Sequence, residues 1–230
     1  MDGCANEEMA AVPGGRVAPA DRLTGRGRPV DVAPYLLGTV PVTREWYARV
    51  TGERPGDGGA GTGRLPAEGV SWWDAVRFCD VLSRREGLAP AYRVDGDRVE
   101  WDASADGYRL PTEAEWEHAC RAGTGGQRYG PLDEVAWHRG NSGGRPRPVG
   151  GRRPNDWGLY DMLGNVWEWC WDAYDAGAYG AYRVLRGGGW FDEHWNCRAP
   201  VRRRGHPTYR GGDVGFRVAR SHPAPAHGAA

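Results

Sequence analysis

Apolar residues along the chain come in short groups rather than in long periodic runs. Val30 to Leu37 alternates weakly between apolar and polar positions and predicts a strand. From Thr43, the large residues Trp46, Tyr47 and Val50 fall at helical spacing. The Thr43 hydroxyl suits the N-cap of such a helix and Gly52 its stop. A second helix is predicted from Trp72 to Glu86, capped by Ser71 and ended by Gly87, with Val76, Cys79, Val81 and Leu82 near one face. Tyr92 to Trp101 reads as a hairpin turning at Asp95-Gly96. Thr112-Glu113-Ala114-Glu115, preceded by Pro111, is a capping box, in which hydroxyl and carboxylate each satisfy a backbone N–H at the helix start. That helix is expected to reach about Arg121, before Gly123. Gly123 to Asn155 reads mostly as loop. Beyond it the apolar pieces are short and separated by glycine: Gly158 to Trp171, Arg183 to Phe191, and Gly215 to Ala219. With no internal repeat and no linker, the expectation is one α+β domain over residues 11–220, low in regular secondary structure. A flexible N-terminus (1–10) and a mobile tail (221–230) flank it.

Composition sharpens this picture. The 230 residues include 37 Gly and 12 Trp but only 3 Phe. A Gly- and Trp-rich chain predicts many turns held by large aromatic anchors. Thirty cationic residues balance thirty acidic ones, for a formal net charge of +0. That balance argues against binding to nucleic acid or a membrane surface through bulk charge. Every cation is Arg, so no lysine is available for Schiff-base chemistry or a Walker-type phosphate site. No apolar run is long enough to span a bilayer. Met1 to Gly15 lacks the basic and apolar regions of a secretory signal, which predicts a cytoplasmic protein. The five cysteines form no C-x-x-C pair, so neither a disulfide framework nor a structural zinc site is expected.

Four segments carry the functional information. They are Arg109-Leu110-Pro111-Thr112-Glu113-Ala114-Glu115-Trp116-Glu117, Gly158-Leu159-Tyr160-Asp161-Met162-Leu163-Gly164-Asn165-Val166-Trp167-Glu168-Trp169, Arg186-Gly187-Gly188-Gly189-Trp190 and Gly215-Phe216-Arg217. In this order they resemble the sulfatase-modifying-factor family, which includes formylglycine-generating enzymes and the C-terminal domains of ergothioneine-type sulfoxide synthases. The resemblance covers roughly Ala11 to Arg220. It implies the formylglycine-generating-enzyme fold, which is related to the C-type lectin fold.

Asp161 and Glu168 are hard oxygen ligands, and a glycine-containing turn between them exposes carbonyls, which suits calcium. By resemblance, a structural Ca2+ is held by the side chains of Asp161 and Glu168 and the carbonyls of Gly164 and Val166. The alternative is that both carboxylates only brace the turn. Trp167, Trp169 and Trp171 share one face if the segment is extended, a core wall in the ordinary reading. The resemblance also places Trp167 against the active site.

The third segment bears on catalysis. A formylglycine-generating enzyme carries Arg-Gly-Gly-Ser and then two cysteines, with four residues between them, that bind copper(I). Here the Ser position is Gly189, the first Cys position is Asp192, and the second remains Cys197. A two-thiolate copper site cannot be built from a hard carboxylate and one thiolate with comparable affinity, which speaks against formylglycine generation itself. Asp192, His194 and Cys197 are the candidates for a rebuilt copper or non-heme iron site, with Glu193 and His206 nearby in sequence. Trp190, Arg198 and Arg202 are candidates for substrate binding, since arginine clamps carboxylate or phosphate. The same arginines also fit a solvated charged face. The Glu115/His118 pair has E-x-x-H spacing, but capping and a solvated helix face explain it. His138 reads equally as a pocket residue or a surface histidine.

Two functions follow. One is a metal- and O2-dependent oxidoreductase acting on a small molecule or peptide, needing a partner protein if the chemistry is of the ergothioneine type. The other is a non-catalytic module that binds a ligand or protein on the same scaffold. The first predicts converging ligands for copper or iron; the second predicts a site without them.

Overall fold

The computed structural model describes residues 8–19, 27–56 and 63–221. Strands β1 (Met9–Val12), β2 (Gly15–Val17), β3 (Val30–Val32) and β4 (Tyr35–Gly38) precede helices α1 (Arg44–Thr51) and α2 (Trp72–Arg85). Next come β5 (Tyr92–Asp95), β6 (Arg98–Trp101), β7 (Tyr108–Arg109), α3 (Glu113–Arg121), α4 (Leu132–Val135) and β8 (Ala136–Trp137). The chain continues with β9 (Leu163–Gly164), β10 (Trp167–Ala173), α5 (Ala176–Tyr179), β11 (Arg183–Arg186), β12 (Arg202–Gly205), β13 (Val214–Gly215) and β14 (Ala219–Ser221).

The three main helices start where the caps predict. Thr43 accepts from the Trp46 N–H, and Ser71 and Thr112 each complete a capping box. Gly52 ends α1 in the left-handed conformation at φ 78°, which costs glycine little. The predicted strand from Val30 is two strands, β3 and β4. Pro34 lies between them and offers no N–H to a ladder. The hairpin turns at Gly96-Asp97, one residue later than expected, with Gly96 at φ 59°.

Two four-stranded sheets organise the molecule, in the orders β1-β4-β14-β7 and β12-β11-β10-β13. The first places β14 between β4 and β7, so the first and last strands share one sheet. Met9 and Ala10 pair with Gly38 and Leu37 in this sheet. Met9 and Ala10, expected in the N-terminal segment 1–10, are thus part of β1. Residues 1–7, and 222–230 of the expected tail, lie outside the described residues.

Alternation along β10 divides the core. Trp167 and Trp169 enter a cluster with α1 and α2, while Cys170 enters one with α3 and β4. Trp171 is half-buried and stacks on Tyr92 at 4.9 Å. Among the described residues, no helix is long and apolar enough to cross a membrane.

Candidate functional site

The segment from Arg186 to Cys197 leaves β11 and folds back over the start of β10. Gly188 sits at φ 83°, and a Cβ there would lie 3.0 Å from the Cys197 sulfur. Glycine at this position therefore lets the thiol pack against the main chain. The base of the loop is pinned by the Trp190 N–H to the Asn165 carbonyl (2.7 Å) and the Arg139 N–H to the Asp192 carbonyl (2.9 Å). The Ser142 hydroxyl donates to the Trp190 carbonyl at 2.8 Å.

Asp192 is the hub of this loop. Its Oδ2 accepts from the Trp167 indole N–H at 2.6 Å and from the Gly189 N–H at 2.8 Å. Its Oδ1 accepts from the Asn196 amide at 2.6 Å. Three donors to one carboxylate make a rigid brace. Cys197 is fully buried, and burial pushes its thiol up to about 12, Asp192 adding to the rise and Arg128 opposing it. At neutral pH it is a protonated thiol, not the thiolate that a soft metal selects. His194 is exposed and packs edge-on against Trp195. The structure thus brings Asp192, Trp167 and Cys197 together and leaves the His194 ring outside. Among the described residues, no three His, Cys, Asp or Glu side chains converge as metal ligands. The donor set as arranged does not fit copper or iron: the Asp192 carboxylate already holds three donors, and no further ligand converges on it and Cys197 among the described residues.

Trp190 is half-buried and donates its indole N–H to the Gly212 carbonyl. Arg198 is tied to the Trp195 carbonyl and to Gln127. Arg202 forms a two-pronged ion pair with Glu113. The Arg202 guanidinium is thus already engaged by a carboxylate within the protein, whereas the contacts of Arg198 are at the surface.

Asp213 and Arg203 belong to the same neighbourhood, although no motif singles them out. The Arg203 guanidinium lies 3.3 Å from Asp213 and 5.5 Å from the centre of the Trp167 ring. Burial pushes the Asp213 carboxyl above its ordinary value; Arg203 opposes this and Asp192 adds to it. The sequence signal that could have found Asp213 is its position just before the Gly215-Phe216-Arg217 motif.

The Asp161–Glu168 turn is also well defined. Gly164 has φ 75°, and a Cβ there would collide with the Trp137 carbonyl oxygen. Val166 is buried. Asp161 adopts φ 52° and accepts from the Gly150 N–H at 2.7 Å. Burial pushes its carboxyl up to about 6, with the Gly150 N–H and Arg217 opposing. Glu168 is fully buried and faces Arg217, which donates to both of its oxygens at 2.6 Å. Trp116 adds a third donor at 2.7 Å. This arrangement does not fit a calcium ion at Glu168, because the carboxylate already neutralises a buried cation.

A separate groove of about 840 Å³ runs between α2 and the β5–β6 hairpin, floored by Trp73, Tyr92 and Trp101. None of the predicted site residues lines it.

Comparison with known proteins adds four findings. A family described as sulfatase-modifying factor enzyme 1-like domain matches residues 2–222. The chain is 30% identical to the chaperone protein LppX of Paenibacillus barcinonensis, covering 94% of this chain and 90% of that one. It is 34% identical to a formylglycine-generating enzyme of Streptomyces coelicolor over 66% of this chain and 62% of the enzyme. Among solved structures, variable protein 1 of Treponema denticola superposes with a TM-score of 0.83 at 32% identity, over 93% of this chain and 95% of that one.

Proposed function

The chain belongs to the sulfatase-modifying factor enzyme 1-like family, and on that premise we propose that it is a polypeptide-binding member that presents the loop Trp190–Trp195 to a partner. One observation carries this reading. Phe191 and Trp195 stand 58% and 51% exposed on a loop whose base is locked by Asp192. Large apolar side chains on a rigid, braced loop are the anchors from which protein interfaces draw most of their energy. Arg139 lies 5.3 Å from the centre of the Phe191 ring and pairs with Glu193, giving the apolar tip a polar rim. The relative that this chain matches across nine-tenths of both lengths is named a chaperone.

A second reading, an O2-dependent oxidoreductase acting on a small molecule or peptide, draws on the match to a formylglycine-generating enzyme. It requires Asp192 to surrender its present partners.

The two readings separate in one set of measurements. Fluorescently labelled, reduced and carboxymethylated α-lactalbumin serves as an unfolded polypeptide probe. Micromolar binding, weakened at least about tenfold by the double substitution Phe191→Ser/Trp195→Ser, is expected. Binding that ignores those substitutions, or no binding at all, defeats the proposal. So does near-stoichiometric copper or iron supporting O2 uptake that Cys197→Ala abolishes.

A further inference from the structure

Arg217 is fully buried, and its guanidinium gathers four oxygens. Nε donates to Glu168 Oε2 and Nη2 to Glu168 Oε1, both at 2.6 Å. Nη1 donates to the Gly38 carbonyl and Nη2 to the Tyr160 carbonyl, each at 3.0 Å. These acceptors come from three distant places: the end of β4, the residue preceding Asp161, and the start of β10. A carboxylate and main-chain carbonyls are the same hard oxygens that a calcium ion collects. Here a covalently attached cation collects them.

We infer that the Arg217 guanidinium is the resident cation of this region, and that the fold closes around it without calcium. Electrostatics supports the inference. The charge of Glu168 is already balanced at hydrogen-bond distance, and a divalent ion beside that carboxylate would meet the repulsion of Arg217 in a poorly screened interior. The geometry supports it as well. The planar fork of the guanidinium meets the carboxylate through two N–H groups while its remaining N–H groups reach the two carbonyls. In this way Arg217, which follows β13, ties the sheet containing β4 to the sheet containing β10. Trp116 completes the shell around Glu168 from helix α3.

The test uses the full chain and follows its thermal midpoint. In 5 mM EDTA and in 5 mM calcium chloride the wild-type midpoint is expected to agree within about 1 °C. An ion bound at a hundred times its dissociation constant would raise the midpoint by roughly 5–10 °C. Arg217→Met removes the cation but keeps much of its length. It is expected to lower the midpoint sharply and to make the remaining stability rise with calcium, because the buried Glu168 carboxylate is then left without its cation. If Arg217→Met does not fold, the wild-type comparison and direct calcium titration by calorimetry still decide the matter. A wild-type midpoint that falls in EDTA and returns with calcium overturns the inference. So does near-stoichiometric calcium binding by the wild-type chain.

Discussion

The indole N–H of Trp167 donates to Oδ2 of Asp192 at 2.6 Å, at the position where formylglycine-generating enzymes are expected to carry a copper-binding thiolate. That single contact ties the loop Trp190–Trp195 to strand β10. Asp192→Ala leaves a buried indole N–H and the Gly189 N–H without an acceptor. Each unpaired donor costs about 1–3 kcal/mol, so denaturant unfolding is expected to show a loss of roughly 2–6 kcal/mol.

Asp192→Cys puts a second sulfur back in register with Cys197, with four residues between them. Two thiols at that spacing select copper(I) where carboxylate plus thiol does not. Competition against a chromophoric copper(I) chelator is expected to report near-stoichiometric copper for the variant and little for the wild type. Equal copper retention by both proteins would contradict the role assigned here to Asp192.

Cys197 is fully buried, with its thiol pushed up to about 12 by burial. Its thiolate fraction at neutral pH is vanishingly small. Iodoacetamide is expected to leave Cys197 unmodified in the native protein and to alkylate it readily in guanidinium chloride, as read by peptide mass spectrometry. Rapid native labelling would mean that the loop opens.

Arg186 has no exposed surface and holds Glu113 (2.7 Å) together with Glu117 from helix α3. Removing one partner of a buried ionic cluster leaves uncompensated charge and costs about 3–5 kcal/mol. Arg186→Met is therefore expected to lose most of the domain's stability in urea unfolding. Arg84→Met, which breaks an exposed pair with Asp80, should change it little.

Gly164 tolerates no side chain. Its φ of 75° and the collision that a Cβ would make with the Trp137 carbonyl both oppose one. Gly164→Ala is expected to displace β8 from β9, with a lowered thermal midpoint and weaker near-UV signal from Trp137. The open Gly158, where a Cβ meets nothing within 4 Å, should accept alanine at the smaller cost of its positive φ alone.

What the chain determined by itself was local. Thr43, Ser71 and Thr112 fix the starts of α1, α2 and α3 because a cap is a contact between residues two or three apart. The hairpin was legible for the same reason, and its one-residue slip reflects a turn whose type depends on which residue takes positive φ. The four motifs were legible as a set, and with them the family and fold class. What each motif residue does was decided only by tertiary structure. Glu168 reads as a calcium ligand until Arg217, 49 positions away, closes on it. Asp192 reads as a metal ligand until Trp167, 25 positions away, claims it. Arg202 reads as a substrate clamp until Glu113 occupies it from helix α3. A charged side chain buried by folding takes whichever opposite charge or polar donor the packing brings within hydrogen-bond distance. That partner is set by how the sheets and helix α3 come together, and no spacing along the sequence records it.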